Sequence, residues 1–348
     1  MRSRSYIATP PGATIREQLK DRKMSQKEFA LRMDMSEKHI SRLINGEVAL
    51  TPETAMRLEM VLGVPAHFWN SLEAVYREKL VMVKAENETD AEMEIAGKFP
   101  YREMQKNGWV PEASKPSDRV IELRKFFEVV SLTMLKTPLI PNIACRRQTS
   151  TEKADYALLA WAQKAKLEAR KTATKEIDLK KLEEALPAIR EMTSLDFSVF
   201  STEICSLLSG CGVALVFLPH ITGSFLNGAA FRDGNRIVVG LTARGKDVDK
   251  FWFSFFHETA HILYGHIEST GGTTEEEENT ADSFARDLLI PPADFSAFVS
   301  SNRYDRSSIL SFAEKEGIDP SIVVGRLQKE KLIGYSQFND LKRKYTIA

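Results

Sequence analysis

The chain has 348 residues, which at roughly 150 residues per domain predicts two or three domains. Its composition, with 43% hydrophobic and 28% charged residues, is that of an ordinary globular protein. The 48 Lys and Arg residues balance 48 Asp and Glu residues, which argues against a chain coated by nucleic acid and against a polybasic membrane binder. Three cysteines are too few for a disulfide framework and match no zinc motif, so a reducing compartment is expected.

Neither a secretion signal nor a membrane span is predicted. The basic residues Arg2 and Arg4 precede residues 6–11, which do not form the apolar core of a signal peptide. No apolar run approaches the roughly 20 residues that cross a bilayer. We therefore expect a cytoplasmic protein with no membrane partner.

Charge is distributed unevenly along the chain. Residues 1–45 hold ten Lys and Arg against five Asp and Glu, whereas residues 84–98 hold two Lys against five acidic residues. A net charge of zero can therefore include a small basic domain. The two shifts in charge predict a domain boundary near residues 80–95.

Hydrophobic periodicity predicts a mainly α chain with a small β-sheet. Helical spacing is found over residues 155–171, 179–192, 200–208, 249–264 and 307–332. A continuous apolar run at 213–218, ended by Pro219, predicts a buried strand. The segments 229–231 and 236–241 flank Asp233-Gly234-Asn235, which predicts a β-hairpin.

Two short helices near the N-terminus are predicted from their caps. Ser25 precedes the first helix, and Glu28 stands three residues later, as in a capping box. Ser36 precedes the second helix, which Gly46 ends, and Asp34 occupies the turn between the two. Two helices joined by so short a turn form the helix-turn-helix unit of DNA-binding proteins.

The second of these helices has one apolar and one polar face. Ile40, Leu43 and Ile44 are predicted to pack inward, while the polar side chains face base edges and phosphates. The first helix opens with a glutamine, where a phosphate contact is expected. The predicted DNA-binding residues are Gln26, Lys38, His39, Ser41, Arg42 and Asn45.

This region resembles a known family of DNA-binding proteins. The segments SQKEFA (25–30), MSEKHISRLING (35–46) and TPETAMRL (51–58) are similar to XRE-family helix-turn-helix proteins. The continuation LGVPAHFWN (62–70) is similar to the HigA antitoxin branch of that family. The resemblance covers about residues 10–80 and implies operator DNA as a partner, bound by a homodimer on paired half-sites.

A second motif lies in the helical segment 249–264. His257-Glu258-Thr259-Ala260-His261 is an HExxH pattern. Positions i and i+4 of a helix share a face, so both imidazoles can reach one metal ion, with Glu258 on the flank of that face. The surrounding residues are unusually apolar, which predicts a buried helix.

A tetrahedral zinc site of this kind needs a third protein ligand and one position for water. Glu278 supplies that ligand near the start of a second helix, for which Thr274 and Glu277 have capping-box spacing. Asp282 lies one turn further on and is predicted to accept a hydrogen bond from a ligating histidine. The predicted ligands, for one Zn²⁺ per chain, are His257, His261 and Glu278.

The sequence around these ligands resembles the ImmA/IrrE metallopeptidase family. The matching segments are FWFSFFHETAHIL (251–263) and ExxAxxFAxxLLxP (278–291), and weaker similarity spans about 140–345. The resemblance implies an α+β zincin-like domain of the gluzincin type, with HExxH on one helix and a glutamate on the next. It also implies a zinc-dependent endopeptidase whose targets are helix-turn-helix repressors cut in response to stress.

The expected chemistry uses Glu258 as the general base, which takes a proton from water and passes it to the leaving amine. The zinc ion lowers the pKa of that water, and one further donor stabilises the oxyanion. Tyr264 and His266 are candidates for the donor because the chain can turn back after Gly265. Zincins commonly bind substrate as an added strand, so a substrate strand beside residues 228–231 is expected.

The C-terminal part of the chain is interpreted as a helical cap. Residues 309–327 contain two short helices that could form a second helix-turn-helix, but packing on the peptidase domain is the preferred interpretation. Lys342-Arg343-Lys344 is expected to be a solvated end. The predicted domains are a helix-turn-helix domain (1–80), a helical connector (81–140), a zinc peptidase domain (141–292) and a C-terminal cap (293–348).

Two functions from different classes follow from these motifs. In the first, a DNA-binding regulator carries a zinc-dependent endopeptidase that cleaves a regulatory protein, either itself or a related repressor, in a stress response. In the second, the chain is an antitoxin-type autorepressor with a toxin partner, and its zinc domain is a sensor or structural unit. The intact HExxH pattern together with Glu278 favours the first.

Overall fold

The structure is a computed structural model that describes residues 7–136, 152–222, 227–242, 247–268 and 272–345. Over these residues the chain is mainly α-helical with one small sheet, which confirms the predicted fold class. The chain forms two compact units, and the boundary between them, from Glu94 to Ile95, lies within one long helix. The finer domain boundaries at 80, 140 and 292 stay predictions.

The N-terminal unit is built from helices around a single apolar core. Its helices are α1 (Gly12–Asp21), α2 (Gln26–Arg32), α3 (Glu37–Ile44), α4 (Pro52–Leu62) and the first part of α5 (Ala66–Lys98). Phe29, Ile40, Leu58 and Trp69 are buried together in that core. Burial of these side chains positions α2 and α3 against each other.

The caps of α2 and α3 follow the sequence with one exception. The Ser25 and Ser36 hydroxyls accept hydrogen bonds from the backbone N–H groups of the third helical residues, Glu28 and His39. Asp34 adopts the left-handed conformation with φ 54°, as its place in the turn requires. The predicted capping box at Ser25 is only half formed, because the Glu28 carboxylate pairs with Arg32, 2.7 Å away.

The C-terminal unit adds ten helices over the described residues. They are α6 (Tyr101–Lys106), α7 (Pro116–Phe127), α8 (Glu152–Ala169), α9 (Leu179–Glu191), α10 (Phe197–Ser209), α11 (Val248–Leu263), α12 (Glu275–Leu289), α13 (Pro292–Ser300), α14 (Arg306–Glu316) and α15 (Pro320–Lys329). Short 3₁₀ turns occupy Leu132–Lys136, Met192–Ser194, His266–Glu268 and Asn339–Leu341. No helix in the described ranges is both long and apolar enough to cross a membrane.

The sheet has three strands, β1 (Val213–Leu218), β2 (Gly228–Asp233) and β3 (Arg236–Thr242), in the order β1-β3-β2. β1 runs parallel to β3, and β2 runs antiparallel to it. Asp233 pairs with Arg236 across a two-residue turn in which Gly234 has φ 62°. The predicted buried strand and hairpin are therefore confirmed.

Helix α11 lies at the centre of the C-terminal unit. Its residues Phe251, Trp252, Phe255 and Phe256 are fully buried, and α12, α15 and β2 pack against it. Helices α14 and α15 contribute to the same core. The helix that carries HExxH is therefore held on several sides by apolar contacts.

The prediction of a solvated end at residues 342–344 is wrong for two of the three residues. Lys342 Nζ lies 2.7 Å from Asp249 Oδ2, and the two side chains are only 12% and 11% exposed. Arg343 lies 3.0 Å from the carboxylate of Asp319. Buried Tyr345 accepts a hydrogen bond of 2.8 Å from the Trp252 indole. This segment packs against α11 because its basic side chains form ion pairs with acidic residues at the starts of α11 and α15.

Candidate metal centre and nucleic-acid interface

Helices α11 and α12 bring three metal-ligating groups together. His257 and His261 lie one turn apart on α11, and their Nε2 atoms are 3.1 Å from each other. Glu278, in the first turn of α12, places Oε2 3.4 Å from His257 Nε2 and Oε1 3.5 Å from His261 Nε2. The ligand atoms of the three residues all lie within 4.8 Å of one another.

These residues fit a zinc ion. Ligands about 2.0–2.1 Å from a tetrahedral centre are separated from each other by about 3.4 Å, close to the observed distances. All three residues are at least nine-tenths buried. Two imidazoles and a carboxylate form a donor set of catalytic zinc sites, with a fourth position left for water.

Each ligand is oriented by a neighbour outside the cluster. Asp282 Oδ1 lies 2.9 Å from His257 Nδ1. The Thr273 hydroxyl donates a hydrogen bond of 2.5 Å to Glu278 Oε1. His261 Nδ1 lies 2.9 Å from the Nδ1 atom of His266. These contacts turn both Nε2 atoms toward Glu278.

The surroundings of the two imidazoles affect their pKa values in opposite directions. Burial lowers the pKa of His261, and the neighbouring charge of His257 lowers it further, to about 4. Burial also opposes protonation of His257, but hydrogen bonds with Asp282 and Glu278 outweigh it and raise that pKa to about 10. Burial raises the pKa of Glu278, but hydrogen bonds from His257 and Thr273 overcome burial and lower it. A neutral His261 beside an ionised Glu278 provides a lone pair and a negative charge for a cation.

Glu258 lies beside the ligands and against the start of β2. Its side chain is 4% exposed. A Cβ atom built on Gly228 would lie 2.9 Å from Glu258 Cγ and 3.1 Å from its Oε1. Only glycine leaves room for the carboxylate in this position. The sequence does not indicate this contact, because the two residues are 30 positions apart and lie on different elements.

The two predicted oxyanion donors have different surroundings. The imidazole of His266 faces the ligand His261, as described above. The half-exposed Tyr264 ring stacks on His266 with centroids 5.8 Å apart and meets Phe284 edge-on at 5.7 Å. Tyr264 and Phe284 also line a groove of about 1020 Å³ on the outer side of α12. A role of either side chain as oxyanion donor stays a prediction.

The expected substrate strand beside residues 228–231 is contradicted by burial. Thr242 donates its N–H to Asn227, and hydrogen-bonded pairs alternate in antiparallel strands, so the Ala230 backbone groups point away from β3. Ala229 and Ala230 have no exposed surface, and α11 packs against β2. An added strand therefore has no access to the outer edge of β2 at Ala230.

The predicted DNA-binding residues share the exposed side of α2 and α3. Gln26 is exposed at the start of α2, and α3 exposes Lys38, His39, Arg42 and Asn45, with Ser41 partly buried. Ile40, Leu43 and Ile44 are buried on the opposite face, as predicted. Arg16 of α1, which the sequence did not single out, donates a hydrogen bond of 3.3 Å to Asn45 Oδ1. Arg16 therefore extends the basic surface beside α3.

Comparisons with known proteins match both units. Residues 15–69 match the family model described as helix-turn-helix, and residues 226–327 match the model described as the IrrE N-terminal-like domain, a peptidase family. An uncharacterized HTH-type transcriptional regulator, YddM, of Escherichia coli (strain K12) is 40% identical over 63 residues, which are 18% of this chain and 67% of that protein.

One solved structure is similar to the N-terminal part of the chain. It is an addiction module antidote protein of the HigA family from Coxiella burnetii, with 27% identity, a TM-score of 0.22 and coverage of 24% of this chain and 94% of that one. The two family models and the curated relative agree with the exposed face of α3 and the ligand cluster on α11 and α12. The chain therefore belongs to the helix-turn-helix family of DNA-binding transcriptional regulators, and it joins that domain to an IrrE-like peptidase domain.

Proposed function

We propose that the C-terminal domain is a zinc-dependent endopeptidase that cleaves a regulatory protein in a stress response. The substrate is a helix-turn-helix repressor, either a second copy of this chain or a related protein. One observation carries the proposal: three buried ligand atoms lie within 4.8 Å of one another, and Glu258 adjoins them in sequence. A carboxylate beside such a ligand set is the arrangement that peptide hydrolysis requires.

The side chains of the centre have separate roles in this proposal. A bound zinc ion supplies a Lewis acid that lowers the pKa of water and polarises a peptide carbonyl. The Glu258 carboxylate accepts a proton from the attacking water and returns it to the leaving amine. Asp282 and Thr273 hold His257 and Glu278 in orientation through the contacts already described. Burial of Glu258 among α11 and β2 keeps bulk water from its carboxylate.

The N-terminal unit binds operator DNA through α3 in the same proposal. A homodimer places two copies of α3 in successive major grooves, so paired half-sites are the expected operator. Cleavage of a bound repressor separates the DNA-binding part of its chain from the remainder and relieves repression. The zero net charge of the whole chain is consistent with DNA contact confined to this one unit.

The experiment compares the wild-type protein with Glu258→Gln and Glu276→Gln. Each is loaded with zinc and incubated with a tagged Glu258→Gln chain and with related repressors, and products are measured by intact mass. We expect Glu258→Gln to bind zinc normally but to cleave at least about 100-fold more slowly. Glu276, exposed on α12, is the matched control and should cleave like the wild type.

Two outcomes separate this proposal from the antitoxin-type alternative. Equal cleavage by the wild type and Glu258→Gln would remove Glu258 from the mechanism. A zinc-loaded protein that cuts no repressor, but represses its own operon and neutralises a toxin encoded beside it, would support the autorepressor with a structural or sensing zinc domain. A chelator should abolish any cleavage that depends on zinc, and cleavage that persists in its presence would contradict a zinc-dependent peptidase.

A further inference from the structure

We propose that His266 is a positioning residue for the metal ligand His261. In this role His266 accepts a hydrogen bond from His261 Nδ1–H and so leaves His261 Nε2 for the metal ion. The inference rests on the proposed zinc centre, but it concerns how this chain orients one ligand and not the reaction. The usual partner of a ligating histidine is a carboxylate, a backbone carbonyl or water.

The direction of the hydrogen bond follows from the two ring nitrogens. The Nδ1 atoms of His261 and His266 are 2.9 Å apart, so one must donate and the other must accept. His261 Nε2 faces His257 and Glu278 in the ligand cluster. A metal ion bound there would use the Nε2 lone pair, which leaves the hydrogen atom of the neutral ring on Nδ1. His266 therefore accepts at Nδ1 and has its own hydrogen atom on Nε2.

The local backbone places His266 for this contact. Helix α11 ends at Leu263, Tyr264 caps it, and Gly265 turns the chain back with φ 72°, a conformation that favours glycine. The 3₁₀ turn His266–Glu268 follows directly and is anchored by Ile267, which is 3% exposed. The imidazole of His266 is thus held by a turn that has its own buried contact.

Two further contacts hold the same turn. The Tyr264 ring stacks on the His266 ring at an interplanar angle of 28°. Glu268 Oε1 lies 2.9 Å from Arg232 Nη1, which ties the turn to β2. His257 and His261 are therefore oriented by chemically different groups, a carboxylate on α12 and an imidazole on the turn after α11.

Burial explains why this acceptor matters. His261 has no exposed surface, so water cannot replace His266 at Nδ1 without a rearrangement. Removing a partner of this kind costs 10–100-fold in metal affinity in other proteins, which is the effect expected here. A residue that only filled space would not produce that loss when replaced by a ring of similar size.

The test compares His266→Phe, His266→Asn and Tyr264→Phe in the full chain. Phenylalanine keeps a ring against Tyr264 but accepts no hydrogen bond, whereas the Asn side-chain oxygen can accept in place of Nδ1. Zinc affinity is measured by competition with a chromophoric chelator, and metal-free unfolding is measured for each variant. We expect about 10–100-fold weaker zinc binding in His266→Phe and affinity close to wild type in the other two variants.

Wild-type zinc affinity in His266→Phe would overturn the proposal, as would equally weak binding in His266→Asn. Nitrogen-15 NMR of the zinc-loaded wild-type protein gives a second test that needs no variant. It should show hydrogen on Nδ1 of His261 and on Nε2 of His266, and the opposite assignment would overturn the proposal. A protein that binds zinc but cleaves nothing would contradict the proposed peptidase function and leave the role of His266 intact.

Discussion

The two functional regions of this molecule differ in how their side chains depend on one another. Most of the predicted DNA-binding residues lie within the eight positions 38–45, on or directly after α3, and most of these side chains face solvent. The proposed metal centre combines residues of α11, α12 and the turn after α11, and its three candidate ligands are buried. Each group of the centre contacts another member of the same set, as His261 contacts both His257 and His266.

Because of this difference, the effects of substitutions should be additive in one region and not in the other. Exposed side chains that act separately on DNA contribute free energies that add approximately. Buried groups that share hydrogen bonds do not, because removing one leaves its partner without a bond. Substitutions in the candidate metal centre should therefore have larger effects than substitutions on the exposed face of α3.

Glu278→Gln should have the largest effect, because it removes a ligand and the negative charge that faces both imidazoles. We expect zinc affinity to fall by more than about 100-fold, which exceeds the loss from removing an outer hydrogen bond. Chelator competition measures the change. Glu276 is exposed nearby on α12, so Glu276→Gln is the control and should retain wild-type zinc affinity. Similar losses of zinc affinity in both variants would contradict the assigned ligand set.

Gly228→Ala should disturb the centre without touching a ligand. The added methyl group would lie 2.9 Å from both Glu258 Cγ and Leu241 Cδ2. Overpacking of this kind lowers the free energy of unfolding by about 1–3 kcal/mol, and cleavage should slow while zinc stays bound. Denaturant unfolding and metal content are the measurements. Gly97→Ala, in α5 where a Cβ meets nothing within 4 Å, is the control and should be as stable as the wild type or more stable by up to about 1 kcal/mol.

Arg42→Ala should weaken operator binding by about 1–3 kcal/mol if Arg42 contacts a base, with little effect on folding. Its described ion pair, with Glu47 at 3.6 Å, is exposed and contributes little. Fluorescence anisotropy with operator DNA at several salt concentrations measures the loss. Zinc affinity should not change. A matching loss of stability would show that this face is coupled to the core and that its side chains do not act separately.

Ser36→Ala should have the smallest effect. It removes the hydroxyl that accepts the His39 N–H at the start of α3, which costs about 1 kcal/mol of unfolding free energy. Thermal unfolding of the N-terminal unit reports the change. Ser41→Ala, inside the same helix, removes no cap and should leave the unfolding free energy within about 0.5 kcal/mol of wild type. Equal destabilisation by the two substitutions would be inconsistent with the cap.

Local signals explain why much of the fold was predictable. The caps at Ser36 and Thr274, the Gly234 turn and the spacing of HExxH each involve residues close in sequence. Glu278 could be proposed because a third ligand was needed and a second amphipathic helix offered a glutamate. In each case the physical cause lies within one or two turns of the chain.

The remaining features depend on contacts that sequence spacing does not report. Gly228 meets Glu258 only because β2 packs against α11. His266 was one of two candidates for the oxyanion donor, and its contact with His261 across the turn at Gly265 was not predicted. The burial of Ala230, which excludes a substrate strand, likewise follows from tertiary packing. These contacts depend on turn geometry and tertiary packing, which the spacing of residues along the chain does not specify.

The attachment of residues 342–345 to α11 also imposes an order in time. Trp252 and Tyr345 are 93 positions apart, as are Asp249 and Lys342. At translation rates of about 5–20 residues per second, the partners of α11 are synthesised about 5–20 s after the helix itself. The DNA-binding unit, made before either, has all its core residues available much earlier. During synthesis, each chain therefore passes through an interval in which the core residues of the N-terminal unit are complete while the partners of α11 at 342–345 are still missing.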